Sequence, residues 1–225
     1  MDLSATMDAV AALGERARGV ALLSADVTDE RLDALHAAGL RGVRLSNAYG
    51  PGTAIDEASL RTWADRVGPR GWHIAMWPQE IEEFELLLDL ADRLPIPLVI
   101  DHLANHAWRP ALGIVQPGFR LVMDLLATGN VWIKLSAPNR ASTAGSPWPD
   151  LVPFAAALIE ADPTRLLWAS DWPQVGVWSD AAMPRSGELL DWLRVIGCDE
   201  ALLRTILVAN PETLYGFAPS SATGH

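Results

Sequence analysis

Asp171 closes the apolar run Leu166-Leu167-Trp168-Ala169-Ser170 and opens the turn Trp172-Pro173-Gln174. A carboxylate at the C-terminal mouth of an α/β strand can take a proton from water, and such mouths are where these folds keep their chemistry. An isolated Asp at such a place can equally cap a turn. Other runs end in the same way. They give Arg44 with Ser46 and Asn47, then Trp77, then Asp101-His102 with Asn105 and His106, then Lys134 and Ser136 with Asn139 and Arg140, and lastly Asp171-Trp172. If these runs are parallel strands, the ends share one rim. An aspartate, an imidazole and two or three cations then converge where water could be turned against a carbonyl and the developing charge stabilised.

Each member has a plainer alternative. Arg44 can be a strand-end side chain with its charge in water. His102 can simply bond a neighbouring loop. Asp101 reads best as the cap of a following turn. Lys134 lies inside an apolar run, where an unpaired ammonium is costly, so it should have a carboxylate partner or face the mouth. Arg140 falls in a polar loop, and Trp77 suits a wall better than chemistry. His36 on a helix and His73 at the wrong end of a strand receive no role. Glu80, Glu82, Glu83 and Glu85 read as a solvated helix face and not as a metal site. There is neither a Gly-x-Ser-x-Gly elbow nor a phosphate-binding glycine loop.

The positioning elements follow from the pattern. Strand candidates are Gly19–Leu23, Gly42–Ser46, His73–Trp77, Pro97–Asp101, Val131–Ser136 and Leu166–Asp171. They are apolar without clean alternation, as when both faces are covered. Helix patterns cover Leu3–Ala17, Asp29–Ala38, Ile55–Val67, Pro78–Leu94, Gly118–Ala127, Asp150–Ala161, Ser186–Ile196 and Glu200–Val208, with a short turn at Glu212–Gly216. Strand-helix alternation gives parallel strands with right-handed crossovers. The fold class expected is α/β, a (β/α) TIM-barrel-like architecture that is incomplete: about six strands, with the first two of eight missing. Residues 1–217 form one domain and 218–225 a disordered tail. Tyr49, Gly50, Pro51 and Gly52 read as a flexible loop at the mouth.

Composition narrows the function. With 225 residues, half of them apolar, there is enough chain for one sizeable core. Ten Trp residues should serve as core or pocket wall. The net charge of −11 argues against nucleic acid or an anionic membrane as partner, while leaving room for a small anionic ligand held by local cations. One cysteine, Cys198, excludes an intrachain disulfide and should be buried or half-buried and inert. Neither a secretory signal nor a bilayer-length apolar run is present, so a cytoplasmic protein is the default.

The runs Gly39–Ser46, Gly71–Ile74, Val99–Leu103, Val131–Ser136, Leu167–Pro173 and Asn210–Phe217, in that order, are similar to those of the amidohydrolase-related family. The closest branch is the 2-pyrone-4,6-dicarboxylate lactonase-like hydrolases. The resemblance implies a distorted TIM barrel acting on a lactone or related ester of a small carboxylated substrate. It implies Asp171 as the carboxylate that activates water and His102 as the group that polarises the carbonyl or orients the attack. Arg44 and Arg140 would hold substrate carboxylates. Asn47, Trp77, Asn105, Lys134 and Trp172 complete the expected substrate-binding set.

Several features depart from that pattern. The family's first strand carries His-x-His, which this chain lacks, and its first two strands have no counterpart here. Asn105 and Gln174 stand where lactonase-type relatives tend to carry Arg and His, and Trp77 where His is frequent. A catalytic zinc wants about three protein ligands. His102 and Asp171 alone are candidates, so no cofactor and no tightly bound metal are expected. The open sheet edges leave self-association as a way to cover them. Three other readings stay open: a start upstream of Met1, an inactive paralogue acting as a binding protein, and a decarboxylase of the same superfamily.

Overall fold

The computed structural model describes residues 2–49, 52–177 and 183–219. Its sheet has six parallel strands in sequential order: β1 (Gly19–Ala21), β2 (Leu40–Arg44), β3 (His73–Met76), β4 (Leu98–Ile100), β5 (Val131–Ser136) and β6 (Leu166–Ala169). Each strand pairs in parallel with the next, from β1 on β2 to β5 on β6. The sheet curls into an incomplete (β/α) barrel, as the alternation predicts. Most strands are a residue or two shorter than the apolar runs suggest. Trp77, Asp101 and Asp171 therefore sit just past strand ends, on the first residues of the loops.

Ten α-helical segments flank the sheet: α1 (Ser4–Leu13), α2 (Asp29–Ala37), α3 (Glu57–Val67), α4 (Ile81–Ala91), α5 (Pro117–Ala127), α6 (Pro138–Ala141), α7 (Val152–Ala161), α8 (Ser186–Val195), α9 (Glu200–Arg204) and α10 (Asn210–Tyr215). Side chains set several of their starts. Thr28 accepts from the Arg31 N–H ahead of α2, Asp56 from Ser59 ahead of α3, and Asp199 from Leu202 ahead of α9. The sequence pattern errs at the C-terminal end. Asn210-Pro211 does not end the helix; the π-helical turn Thr205–Ala209 joins α9 to α10. Asn210 instead clips this helix to the start of β6, its amide donating to the carbonyls of Pro163 and Leu166 at 2.8 and 2.6 Å.

Alternation along the strands divides the core. Ile74 and Met76, Leu98 and Ile100, Val131, Ile133 and Leu135, and Leu166 pack outward against the helices in the main apolar cluster. Ala75, Val99, Trp132 and Leu167 form a second, inner cluster, closed from below by Leu214 and joined by Val20 and Tyr215. Side chains two residues apart on a strand share a face. Continuing the inner sets upward reaches Arg44, Trp77, Asp101, Lys134, Ser136 and Asp171. The fold delivers these six side chains to one concave side.

Cys198 is buried, as expected. No helix among the described residues is long and apolar enough to cross a membrane. Residues 50, 51 and 220–225 lie outside the described residues, and with them Gly50 and Pro51 of the mouth loop and most of the expected tail.

Candidate active site

Asp101 is the electrostatic centre of the concave face. Its side chain is 5% exposed, and Lys134 Nζ meets Oδ1 at 2.8 Å while Arg44 pairs with Oδ2. Its carboxyl makes no cap bond to the following turn, so the capping role read from the sequence is incorrect. The reason is reach: the inner face places a strand-buried ammonium and a guanidinium beside this carboxylate, and each answers the other's desolvation. Lys134 thus has the carboxylate partner its burial demands. Burial by itself would raise the Asp101 pKa, but Lys134 and Arg44 outweigh it and hold the carboxyl at about 2. Lys134 responds in kind: burial works to lower its pKa, and Asp101 carries it above the ordinary value.

His102 has the wrong strand parity for this face and reaches it by a turn. His102, Leu103 and Ala104 all adopt left-handed backbone, with φ of 56°, 59° and 53°. Such conformations cost non-glycine residues about 1–2 kcal/mol each, so surrounding packing must enforce them. The result puts Nε2 at 3.6 Å from Asp171 Oδ1. His102 is buried, and its imidazole stands edge-on to the Trp77 ring at 4.8 Å. Burial lowers its pKa below the ordinary value, against the pull of Asp101 and Asp171.

Asp171 also has positive φ, 54°. Arg140 Nε–H donates to its Oδ2 at 2.8 Å, and a second guanidinium nitrogen donates to the Val175 carbonyl at 2.6 Å. Arg140 lies on the single-turn helix α6 and not in a loop, because Pro138 starts a helical turn after left-handed Ala137. Its guanidinium stands 5.7 Å from the Trp77 ring centre. One carboxylate oxygen of Asp171 is therefore pinned, and Oδ1 is left facing His102.

The remaining expected residues divide. Trp77 Nε1–H donates to Asn105 Oδ1 at 2.9 Å, which fixes both along the wall. Asn47 is occupied locally: its carbonyl accepts from Ile55 N–H at 2.8 Å and its amide donates to Glu83. Glu83 in turn accepts from the Gln79 and Glu80 N–H groups, so it caps α4 and is more than part of a solvated face. Trp172 is 79% exposed at the rim, apart from the cluster. A concavity of about 460 Å³ runs beside β1 from Asp2 and Thr6 to Arg44.

Two polar residues that the sequence pattern names without giving a role are held firmly in the structure. Ser136 bonds His102 twice, and Gln174, 4% exposed, donates to the Ser170 carbonyl and holds the loop after β6. The inward parity of Ser136 was the available signal for the first. Three or more His, Cys, Asp or Glu side chains placed to share a metal ion do not occur among the described residues. His102 and Asp171, with one Asp171 oxygen engaged by Arg140, do not make the donor set that a zinc wants.

Comparison with known proteins gives a consistent result. Residues 1–217 match the family model described as Amidohydrolase. A 4-sulfomuconolactone hydrolase of Rhizobium radiobacter is 36% identical over 219 residues, 96% of this chain and 72% of the relative. A 2-pyrone-4,6-dicarboxylate hydrolase of Comamonas testosteroni is 33% identical over 225 residues, covering 95% of this chain and 72% of its own length. A ligand-free crystal structure of an Agrobacterium tumefaciens protein superposes with a TM-score of 0.82 at 26% identity, over 97% of this chain and 75% of that one.

Proposed function

The chain belongs to the amidohydrolase family, and from that premise we propose that it hydrolyses a lactone or related ester of a small carboxylated substrate, with Asp171 as general base. The observation that carries this reading is the opposition of Asp171 Oδ1 and His102 Nε2 across 3.6 Å at the strand ends. A water between Oδ1 and a carbonyl carbon gives its proton to Asp171 as the C–O bond forms. His102 and the outward nitrogens of Arg44 stabilise the negative charge that develops on the carbonyl oxygen. Collapse breaks the ring C–O bond, and the leaving oxygen takes the proton from Asp171. Arg140 keeps the base aligned, and its face toward Trp77 leaves it beside the substrate.

The relatives' names support a lactone-type bond, since they are hydrolases of a sulfomuconolactone and of a pyrone dicarboxylate. Trp77 and Asn105 form one wall, and Lys134 acts through Asp101 rather than by touching substrate. The same reading treats residues 1–217 as one domain of a cytoplasmic enzyme.

The test is Asp171→Asn on a panel of carboxylated and sulfonated lactones. Turnover should disappear while circular dichroism and the thermal midpoint stay at wild-type values. Lactone hydrolysis that survives in the variant would remove Asp171 from the base position.

A further inference from the structure

Ser136 closes β5 directly behind His102. It is 1% exposed. Its Oγ accepts the His102 backbone N–H at 3.2 Å and lies 3.0 Å from His102 Nδ1. These are its side-chain contacts among the described residues. A serine hydroxyl has one proton and two lone pairs. The main-chain N–H takes one lone pair. The buried hydroxyl proton then has a single acceptor within reach, the ring nitrogen. A proton on Nδ1 would leave two hydrogens competing for that contact, or a buried hydroxyl hydrogen with nowhere to go.

We propose that Ser136 is a positioning residue whose hydroxyl donates to Nδ1 and so holds neutral His102 with its proton on Nε2, the nitrogen on the side of Asp171 Oδ1 where the reacting carbonyl would lie. The left-handed turn at 102–104 gives the ring its direction, and Ser136 gives the ring proton its address. His102 then serves as a donor and does not compete with Asp171 for the water proton. Its lowered pKa keeps the neutral ring the species present at neutral pH. The catalytic consequence rests on the hydrolase reading above; the tautomer does not.

The decisive measurement is the nitrogen spectrum of 15N-histidine-labelled wild-type protein, with His102 assigned by its loss in His102→Gln. Nδ1 should resonate as an unprotonated, hydrogen-bonded nitrogen and Nε2 as a protonated one. In Ser136→Ala the Nδ1 signal should shift toward that of a nitrogen without a donor. For lactone substrate, kcat should fall about 10-fold or more with KM little changed, and Ser136→Thr should recover most of it. A protonated Nδ1 in the wild type overturns the proposal, and so does a folded Ser136→Ala with unchanged spectrum and kcat. If Ser136→Ala fails to fold, the wild-type spectrum still decides. Wild-type protein that shows the stated tautomer yet opens no lactone would sink the hydrolase reading instead.

Discussion

Lys134 Nζ lies 2.8 Å from Asp101 Oδ1, and the pair is the buried anchor of the concave face, with Arg44 closing the other oxygen. Removing one partner leaves the other ionised and short of a counter-charge inside the protein. Lys134→Met should lower unfolding stability by about 3–5 kcal/mol in urea titration. A loss under 1 kcal/mol would mean that Arg44 and solvent satisfy Asp101 unaided.

Arg140 touches both the base and the loop that follows it. A side chain that only gripped a substrate carboxylate would change KM when removed. Because Arg140 Nε also bonds Asp171, Arg140→Ala should lower kcat by about 10-fold or more, alongside any rise in KM. A change confined to KM would show that Asp171 keeps its place without the bond.

Gly42 pairs in register with His73. A Cβ at residue 42 would stand 2.6 Å from His73 Nε2 and 2.7 Å from Cε1, against a ring with no exposed surface. Gly42→Ala should cost about 1–3 kcal/mol by overpacking. Adding His73→Ala should recover part of that loss, a coupling readable in a double-mutant cycle. Independent effects would place the clash elsewhere.

Two pH windows follow from buried groups. Asp101 is held at about 2 against an ordinary 3.8, so its contribution to stability is full above 3.8 and disappears as pH falls toward 2. Burial depresses His73 to about 3 from 6.5, with Lys134 adding to the effect. Unfolding lets that imidazole take a proton, so stability should decline as pH falls from 6.5 toward 3. His73→Phe should flatten the upper decline and leave the lower one, measured by denaturant midpoints from pH 7 to pH 2. An unchanged slope would assign the upper window to His102 and the other histidines.

Much of this was legible in the sequence because strand ends on a parallel sheet are an additive signal. Arg44, Trp77, Lys134 and Asp171 reach the concave face by simple alternation. His102 was found despite its parity, since three successive left-handed residues cannot be read from His-Leu-Ala. Asp101 was misjudged because its partners, Arg44 and Lys134, are 57 and 33 positions away in the chain and meet it only once the sheet curls. The pattern ends a helix at Val208, just before Asn210-Pro211, because proline lacks an amide hydrogen, but the π turn at Thr205–Ala209 carries the helix on into α10. Asn47 and Trp172 meet the sequence criteria for the rim, where Asn47 bonds Ile55 and Glu83 and Trp172 stays exposed.

Among the described residues, the ion pairs at the strand ends join three permanent cations, Arg44, Lys134 and Arg140, to two carboxylates, Asp101 and Asp171. That surplus is set in a molecule whose overall charge is −11. An incoming anion is thus repelled at long range and attracted only near the opening. Dissolved electrolyte weakens the distant repulsion first, because interactions beyond about 8–10 Å fade at moderate ionic strength. Capture of an anionic molecule should accordingly quicken on modest addition of salt before slowing, the reverse of the monotonic slowing seen with a basic protein.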